Sequence, residues 1–291
     1  MTKKRPENLV PFVQQNLDIA NASEETKIRH HNHFNKTLME MPIAAKRVLF
    51  LVMAQYDSRR PFGEDVVFKV SADDYAALCG VEKVTAYAQL KQAAFEMMQQ
   101  VLVVPKEELL PYVSRGFEDI KTQMTGENKS GEGRMYHLAQ FVDYSDDSGF
   151  IEVCPSRQLE PYIANLVKVR YTSQSLLAAI RFSDRNTSNM YQFIRESICS
   201  KGKSEFIDIT VEELKDKLGL FTTHYKTKTY TYPEYKIFKR DVINKTLKII
   251  NRDTDMNVEC KVIKKQGRKA HVLRFTYSTK DKEQLSLNLD A

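Results

Sequence analysis

Apolar and polar positions repeat one layout twice along the chain. Val66-Val67-Phe68-Lys69-Val70 reads as a short strand that runs into Ser71-Ala72-Asp73-Asp74-Tyr75-Ala76-Ala77-Leu78-Cys79-Gly80. Ser71 suits a helix N-cap, Asp74 stands three residues on, and Gly80 suits the stop. Phe206-Ile207-Asp208-Ile209 then runs into Thr210-Val211-Glu212-Glu213-Leu214-Lys215-Asp216-Lys217-Leu218-Gly219. Thr210 and Glu213 form the better capping box. The distance from cap to glycine is nine residues in both copies. A longer helix is predicted after each short one, at about 83–99 and 234–250. Two helices joined at a glycine turn predict a helix-turn-helix.

Alternating stretches follow each helix pair and predict β wings. In the first copy these are 101–104, 135–142 and 150–153. In the second they are 256–263 and 271–277, joined by Lys264-Lys265-Gln266-Gly267-Arg268-Lys269. An apolar helix precedes each copy, at 43–56 and 189–199, and further helix is predicted within 158–180 as a bridge. Residues 116–133, with three glycines, read as a long polar loop. The expected fold is α+β, with two tandem winged-helix domains related by internal duplication. The expected division is a basic arm over 1–36, a first domain for dimerisation and DNA contact over 37–172, a second, main reading domain over 173–279, and a tail over 280–291.

A helical wheel at about 100° per residue sorts the long helix of the second copy. Phe238, Val242, Ile243, Leu247, Ile249 and Ile250 share the inner side. Arg240, Asp241, Asn244, Lys245 and Lys248 share the outer one, with Lys236 in the first turn. Arginine reaches guanine edges, asparagine adenine, and lysine either bases or phosphates. Lys239 falls on the apolar side of the wheel, and its direction depends on where the helix starts. Lys264, Lys265, Arg268 and Lys269 would lie along phosphates from the wing. The first copy offers Lys83, Thr85, Tyr87, Gln89 and Lys91, diluted by Asp73, Asp74, Glu82 and Glu96. That helix suits DNA contact, dimerisation or packing.

Charge sharpens the asymmetry. The 291 residues carry a formal +6. Residues 215–280 hold 17 Lys and Arg against six carboxylates, a net of +11, which leaves −5 elsewhere. A basic C-terminal third points to a polyanion partner. Four isolated cysteines, with no C-x-x-C pair, argue against a zinc site and a disulfide framework and fit a reducing cytoplasm. No stretch reads as a membrane span or a secretory leader. No phosphate-binding loop or H-E-x-x-H is present, and no cofactor or catalytic residue is implied. His30-His31-Asn32-His33 invites comparison with the metal motif of rolling-circle nickases, but the middle residue is polar. Those residues read as part of a flexible basic arm, with no metal.

The tail carries its own pattern. Gln284-Leu285-Ser286-Leu287-Asn288-Leu289 resembles the short peptide by which bacterial replication proteins dock on the sliding clamp. Leu285, Leu287 and Leu289 would enter an apolar groove beside Gln284. A final strand or an inert tail is the competing expectation.

Several segments together resemble one family. They are Thr26-Lys27-Ile28-Arg29-His30, Ala45-Lys46-Arg47-Val48, Leu159-Glu160-Pro161-Tyr162-Ile163, Tyr191-Gln192-Phe193-Ile194-Arg195 and Ile237-Phe238-Lys239-Arg240-Asp241-Val242-Ile243-Asn244-Lys245. Over about 25–278 the chain is similar to the initiators of iteron-bearing, theta-replicating plasmids, more to the π type than to the RepE type. The resemblance implies two winged-helix domains and no enzymatic activity. It implies monomers that bind direct repeats (iterons) at an origin, and homodimers, joined through the first domain, that bind an operator inverted repeat and repress their own gene. It also implies origin opening and recruitment of the host initiator and the replicative helicase. By match, Lys239 and Arg240 would touch bases, and Lys91 occupies a basic position in the first reader. The competing expectations are a winged-helix transcriptional regulator, and a nickase using His31, His33 and a tyrosine.

Overall fold

The structure is a computed structural model that describes residues 19–60, 66–105, 133–145, 148–164, 166, 170–201, 206–224 and 227–280. The chain opens with strand β1 (Lys27–His31) and helices α1 (Asn35–Glu40) and α2 (Ile43–Ala54). Strand β2 (Phe68–Ser71) leads into α3 (Ala72–Cys79) and then α4 (Lys83–Gln99). Strands β3 (Val101–Pro105), β4 (Gly133–His137), β5 (Ala139–Tyr144) and β6 (Phe150–Pro155) follow. A short helix α5 (Glu160–Ile163), strand β7 (Tyr171–Ser175) and helix α6 (Leu176–Arg181) lead to the second unit. That unit starts with α7 (Arg185–Lys201), β8 (Phe206–Thr210), α8 (Val211–Lys217), β9 (Phe221–His224) and β10 (Thr227–Tyr230). Its long helix has three continuous parts: α9 (Tyr235–Phe238), a π-helical turn (Lys239–Asn244) and α10 (Lys245–Asp253). The hairpin β11 (Met256–Gln266) and β12 (Lys269–Thr279) closes it.

The duplication is real at the level of hydrogen bonds. Ser71 Oγ accepts from the Asp74 N–H at 3.0 Å, and Thr210 Oγ1 accepts from the Glu213 N–H at 3.1 Å. The Glu213 carboxylate accepts from the Thr210 N–H in return, completing the box. Gly80 and Gly219 both sit at φ +67°, the left-handed conformation that ends a helix. In each unit the strand before the cap pairs with the last wing strand. Ser71 lies opposite Phe150 and Thr210 opposite Val272. The sheets run β2-β6-β5 and β8-β12-β11.

The insertions differ. The first unit places the hairpin β3–β4 between α4 and its wing. The second places the hairpin β9–β10 between α8 and the long helix, where the sequence suggested a tight turn. Its four threonines, Thr222, Thr223, Thr227 and Thr229, are all exposed, so no apolar alternation marks that pairing in the sequence.

Two apolar cores result. One runs from Ile19 to Ile180 and the other from Ala178 to Phe275. The first core corrects the expectation of a basic arm ending at residue 36. Strand β1 pairs antiparallel with β7, and Ile28, His30 and Phe34 are buried. Polarity misled because several polar side chains there find partners on distant elements. Asn35 Nδ2 donates to Thr172 Oγ1, Thr172 Oγ1 to Asn32 Oδ1, and Asn32 Nδ2 to Ser200 Oγ.

The seam between the cores is polar. Lys46 is fully buried and donates to Asn189 Oδ1 at 3.0 Å. Burial, helped by the charge of Arg185, pulls its ammonium down to about 7. Asn189 Nδ2 donates to the carbonyls of Met39 and Leu218, and Arg185 Nε also donates to Met39 O. Gln192 bridges to Asn35, and Arg47 reaches Phe182 O at 2.9 Å. These bonds tie α1 and α2 to α7 by directional contacts.

Candidate nucleic-acid interface

The long helix of the second unit presents Lys236, Lys239, Arg240, Asn244, Lys245 and Lys248 to solvent. Phe238, Val242, Ile243, Thr246, Leu247 and Ile250 are buried beneath them. The turn at Lys239–Asn244 is π-helical, where hydrogen bonds span five residues instead of four. That turn bears on Lys239. A uniform wheel turns it toward the core, but the wider turn keeps it outside, beside Arg240. Arg240 is 73% exposed at its side chain, and its fork grips the adjacent Asp241, with Nε to Oδ1 at 2.5 Å. The pairing raises the arginine pKa and lowers that of Asp241. A fork that fits a carboxylate also fits the O6 and N7 edge of guanine.

Residues beneath the helix were missed by sequence reasoning. Lys215 counts toward the +11 segment, yet it is buried. Its Nζ lies 5.2 Å from the Tyr230 ring and 5.3 Å from the Phe238 ring, and burial lowers its pKa. It supports the reader helix from inside. Lys280 donates to the carbonyls of Asn251 and Thr254 at the helix C-terminus. Lys228 pairs with Asp216 at 2.5 Å, and Arg274 pairs with Asp208 at 2.7 Å. Part of the positive charge therefore holds the fold. Spacing gives no sign of this, because the partners lie on other elements.

The wing differs. Asn251 on α10 exchanges two hydrogen bonds with the backbone of Val258 on β11, at 2.8 and 2.9 Å. Reader helix and wing root are thereby locked together. Strand β8 covers β12 only from Val272 to Thr276, so the tip beyond stands as two strands around Gly267. Lys264, Lys265, Arg268 and Lys269 are exposed there, and none has an ion-pair partner among the described residues. Unpaired cations on a projecting hairpin suit phosphate contact.

The first unit is weaker in every respect. Lys83 is exposed but pairs with Asp73 at 2.7 Å. Thr85 and Lys91 are exposed on α4. Tyr87 is 41% exposed and packs on the wing turn, where a Cβ at Gly149 would meet its hydroxyl at 3.0 Å. Gln89 is a correction: its Oε1 accepts from Arg47 Nη1 at 2.9 Å and from the Tyr75 hydroxyl at 2.8 Å. Gln89 is half-buried, and its amide oxygen is engaged inside the fold because α4 turns that position toward α2 and α3.

His30 and His31 are also inside, whereas His33 is exposed. His30 is pulled down to about 3 and His31 to about 4, both chiefly by burial. His31 Nδ1 accepts from the His33 N–H at 3.2 Å. Among the described residues, no group of three His, Cys, Asp or Glu is placed to hold a metal ion. No helix there is long and apolar enough to cross a membrane. The tail residues Gln284, Leu285, Leu287 and Leu289 lie outside the described residues.

Comparison with known proteins agrees with this geometry. Residues 27–195 match the family described as Initiator Replication protein, WH1. Residues 210–277 match Initiator Rep protein, WH2. The PI protein of Escherichia coli is 33% identical over 265 residues, covering 90% of this chain and 85% of that protein. The crystal structure of the Pi initiator protein in complex with iteron DNA superposes with a TM-score of 0.73 at 31% identity, covering 90% of this chain and 100% of that one. The first match begins at β1 and runs into α7, and the second begins at the Thr210 cap. With its two winged-helix modules matched in order, the chain belongs to the initiator replication protein family.

Proposed function

We propose that the protein initiates plasmid replication by reading directly repeated sites in duplex DNA at an origin. One observation carries this reading: a locked reader helix and an unpaired basic wing stand together in the second unit, on a chain similar to an initiator crystallised with iteron DNA. Lys236, Lys239, Arg240, Asn244, Lys245 and Lys248 face bases and nearby phosphates. Lys264, Lys265, Arg268 and Lys269 lie on phosphates. Thr85, Tyr87, Lys83 and Lys91 add weaker contacts from the first unit. The test is a footprint of the purified protein on the DNA upstream of its gene. Protection of direct repeats, each spanning about two helical turns, is expected. Random protection, removed by competitor DNA, would overturn the reading.

The protein acts by binding, in the bacterial cytoplasm, and recruits the host initiator and replicative helicase after opening the origin. The burial of His30 and His31 supports a non-enzymatic role. A nicked product from supercoiled origin DNA and a divalent metal would contradict it. The homodimer, which binds an inverted repeat and represses the gene, forms through the first unit. Exposed Phe95, Met98, Phe141 and Tyr144 on α4 and β5 support that surface. The C-terminal peptide docks on the sliding clamp. Deleting 284–291 should abolish clamp capture and leave origin binding intact.

A further inference from the structure

Register in the wing singles out one apolar residue. Along β11, Val258 is buried and Cys260 and Val262 are half-buried, while Glu259 and Lys261 point outward. Val262 lies opposite Leu273, and Lys264 lies opposite Val272. Ile263 is therefore an extra residue in the strand, a β-bulge, and such bulges re-aim side chains. A second shift follows between Lys264 and Lys265 and leaves His271 as the extra residue of the partner strand. Ile263 is 46% exposed, on the outward side with Glu259 and Lys261. Strand β8 ends opposite Val272, so no third strand continues beside the hairpin beyond that pair.

An exposed isoleucine on a free hairpin, with Lys264, Lys265, Arg268 and Lys269 next along the tip, is poorly matched to water. It is well matched to a duplex minor groove. The groove is about 6 Å wide, with phosphates on both rims and sugar edges on its walls. Cations on the rims would hold an aliphatic side chain between them, as minor-groove proteins do with apolar wedges. The groove floor differs between base pairs. Guanine projects a 2-amino group there, and adenine does not. An isoleucine against that amino group would strip its water and return no hydrogen bond.

We propose that Ile263 is an apolar minor-groove contact that makes the protein select A·T pairs under the wing. This rests on the reading that the second unit binds duplex DNA. Specificity then has two sources: hydrogen bonds from the reader helix in the major groove, and exclusion of the guanine amino group by the wing.

The test replaces each A·T pair of the protected repeat in turn by G·C and by inosine·C. Inosine keeps the pairing face of guanine and lacks the 2-amino group. Wild-type protein should bind about tenfold more weakly when G·C enters the wing position. Inosine·C should restore most of that loss. Ile263→Ser should bind all three forms at that position alike, and Ile263→Val should behave as wild type. Circular dichroism confirms that each variant is folded, and Ile263→Ala serves if the serine variant is not. Three results would overturn the proposal: no position at which inosine rescues wild type, rescue that persists in the serine or alanine variant, or loss of selection in the valine variant. Absence of any repeat binding by wild type would instead remove the DNA-reading assignment itself.

Discussion

The two winged-helix units share one order of elements but carry opposite charge at the wing. Between β5 and β6 the sequence reads Ser145-Asp146-Asp147-Ser148-Gly149, and between β11 and β12 it reads Gly267-Arg268 behind Lys264 and Lys265. The same cap-to-strand pairing supports both, Ser71 with Phe150 and Thr210 with Val272. The reader helices diverge as well. On α4 a half-buried glutamine ties Arg47 to Tyr75, whereas the second reader keeps its cations outside and buries Lys215 beneath. Duplication copied the backbone and left electrostatics free to divide the work. An acidic turn repels phosphate, and a basic one attracts it.

The largest test of that division is Phe238→Ala. Phe238 is fully buried between the π-helical turn and Lys215, and its loss should cost about 3–5 kcal/mol of stability. Hydrogen exchange should then rise in the second unit while α2 in the first keeps its protection. Equal loss in both would show that the polar seam merges the units into one cooperative body.

Acid should act on the opposite unit. His30 and His31 stay neutral in the fold down to about 3 and 4. In the unfolded chain they take up protons near 6.5. Their contribution is complete above 6.5 and declines as pH falls toward their folded values. At pH 5 roughly 2 kcal/mol should be lost for each. Melting followed against pH should lose the first unit first. An acid response that starts in the second unit would break the comparison.

Base reading supplies the next effect. Arg240→Ala should cost about 1–3 kcal/mol and relax one base position. Thr85→Ala in the first reader should cost less and relax none. The reverse order, measured on a panel of single-base variants, would exchange the roles of the two helices. Smallest is Lys269→Ala, which should weaken all sequences alike and flatten the salt dependence by about one unit. A base-specific change would contradict a wing on phosphate.

Much of this was legible in the chain. Both caps, both terminating glycines, the second wing and the outer face of the second reader follow from local spacing. Strand β1 was not, because His30, His31 and Asn32 look solvated until β7, 140 residues away, supplies Thr172 as a partner. Gln89 looked like a reader for the same reason: its partners, Arg47 and Tyr75, lie on α2 and α3. The wheel left the direction of Lys239 open, since a wheel assumes uniform turns and a π-helical turn breaks that assumption.

The amino-acid sequence alone determined the repeated unit, its helix caps at Ser71 and Thr210, and the basic bias of the last third, since each depends on neighbours within a few residues. Tertiary structure decided which of those charges face solvent. Lys215, Lys228, Arg274 and Lys280 serve the fold, while Arg268, Lys269 and the bulged Ile263 stand out on the wing. A charged side chain is worth different things against an aromatic ring, a carbonyl or open water, and only the packed chain chooses among them.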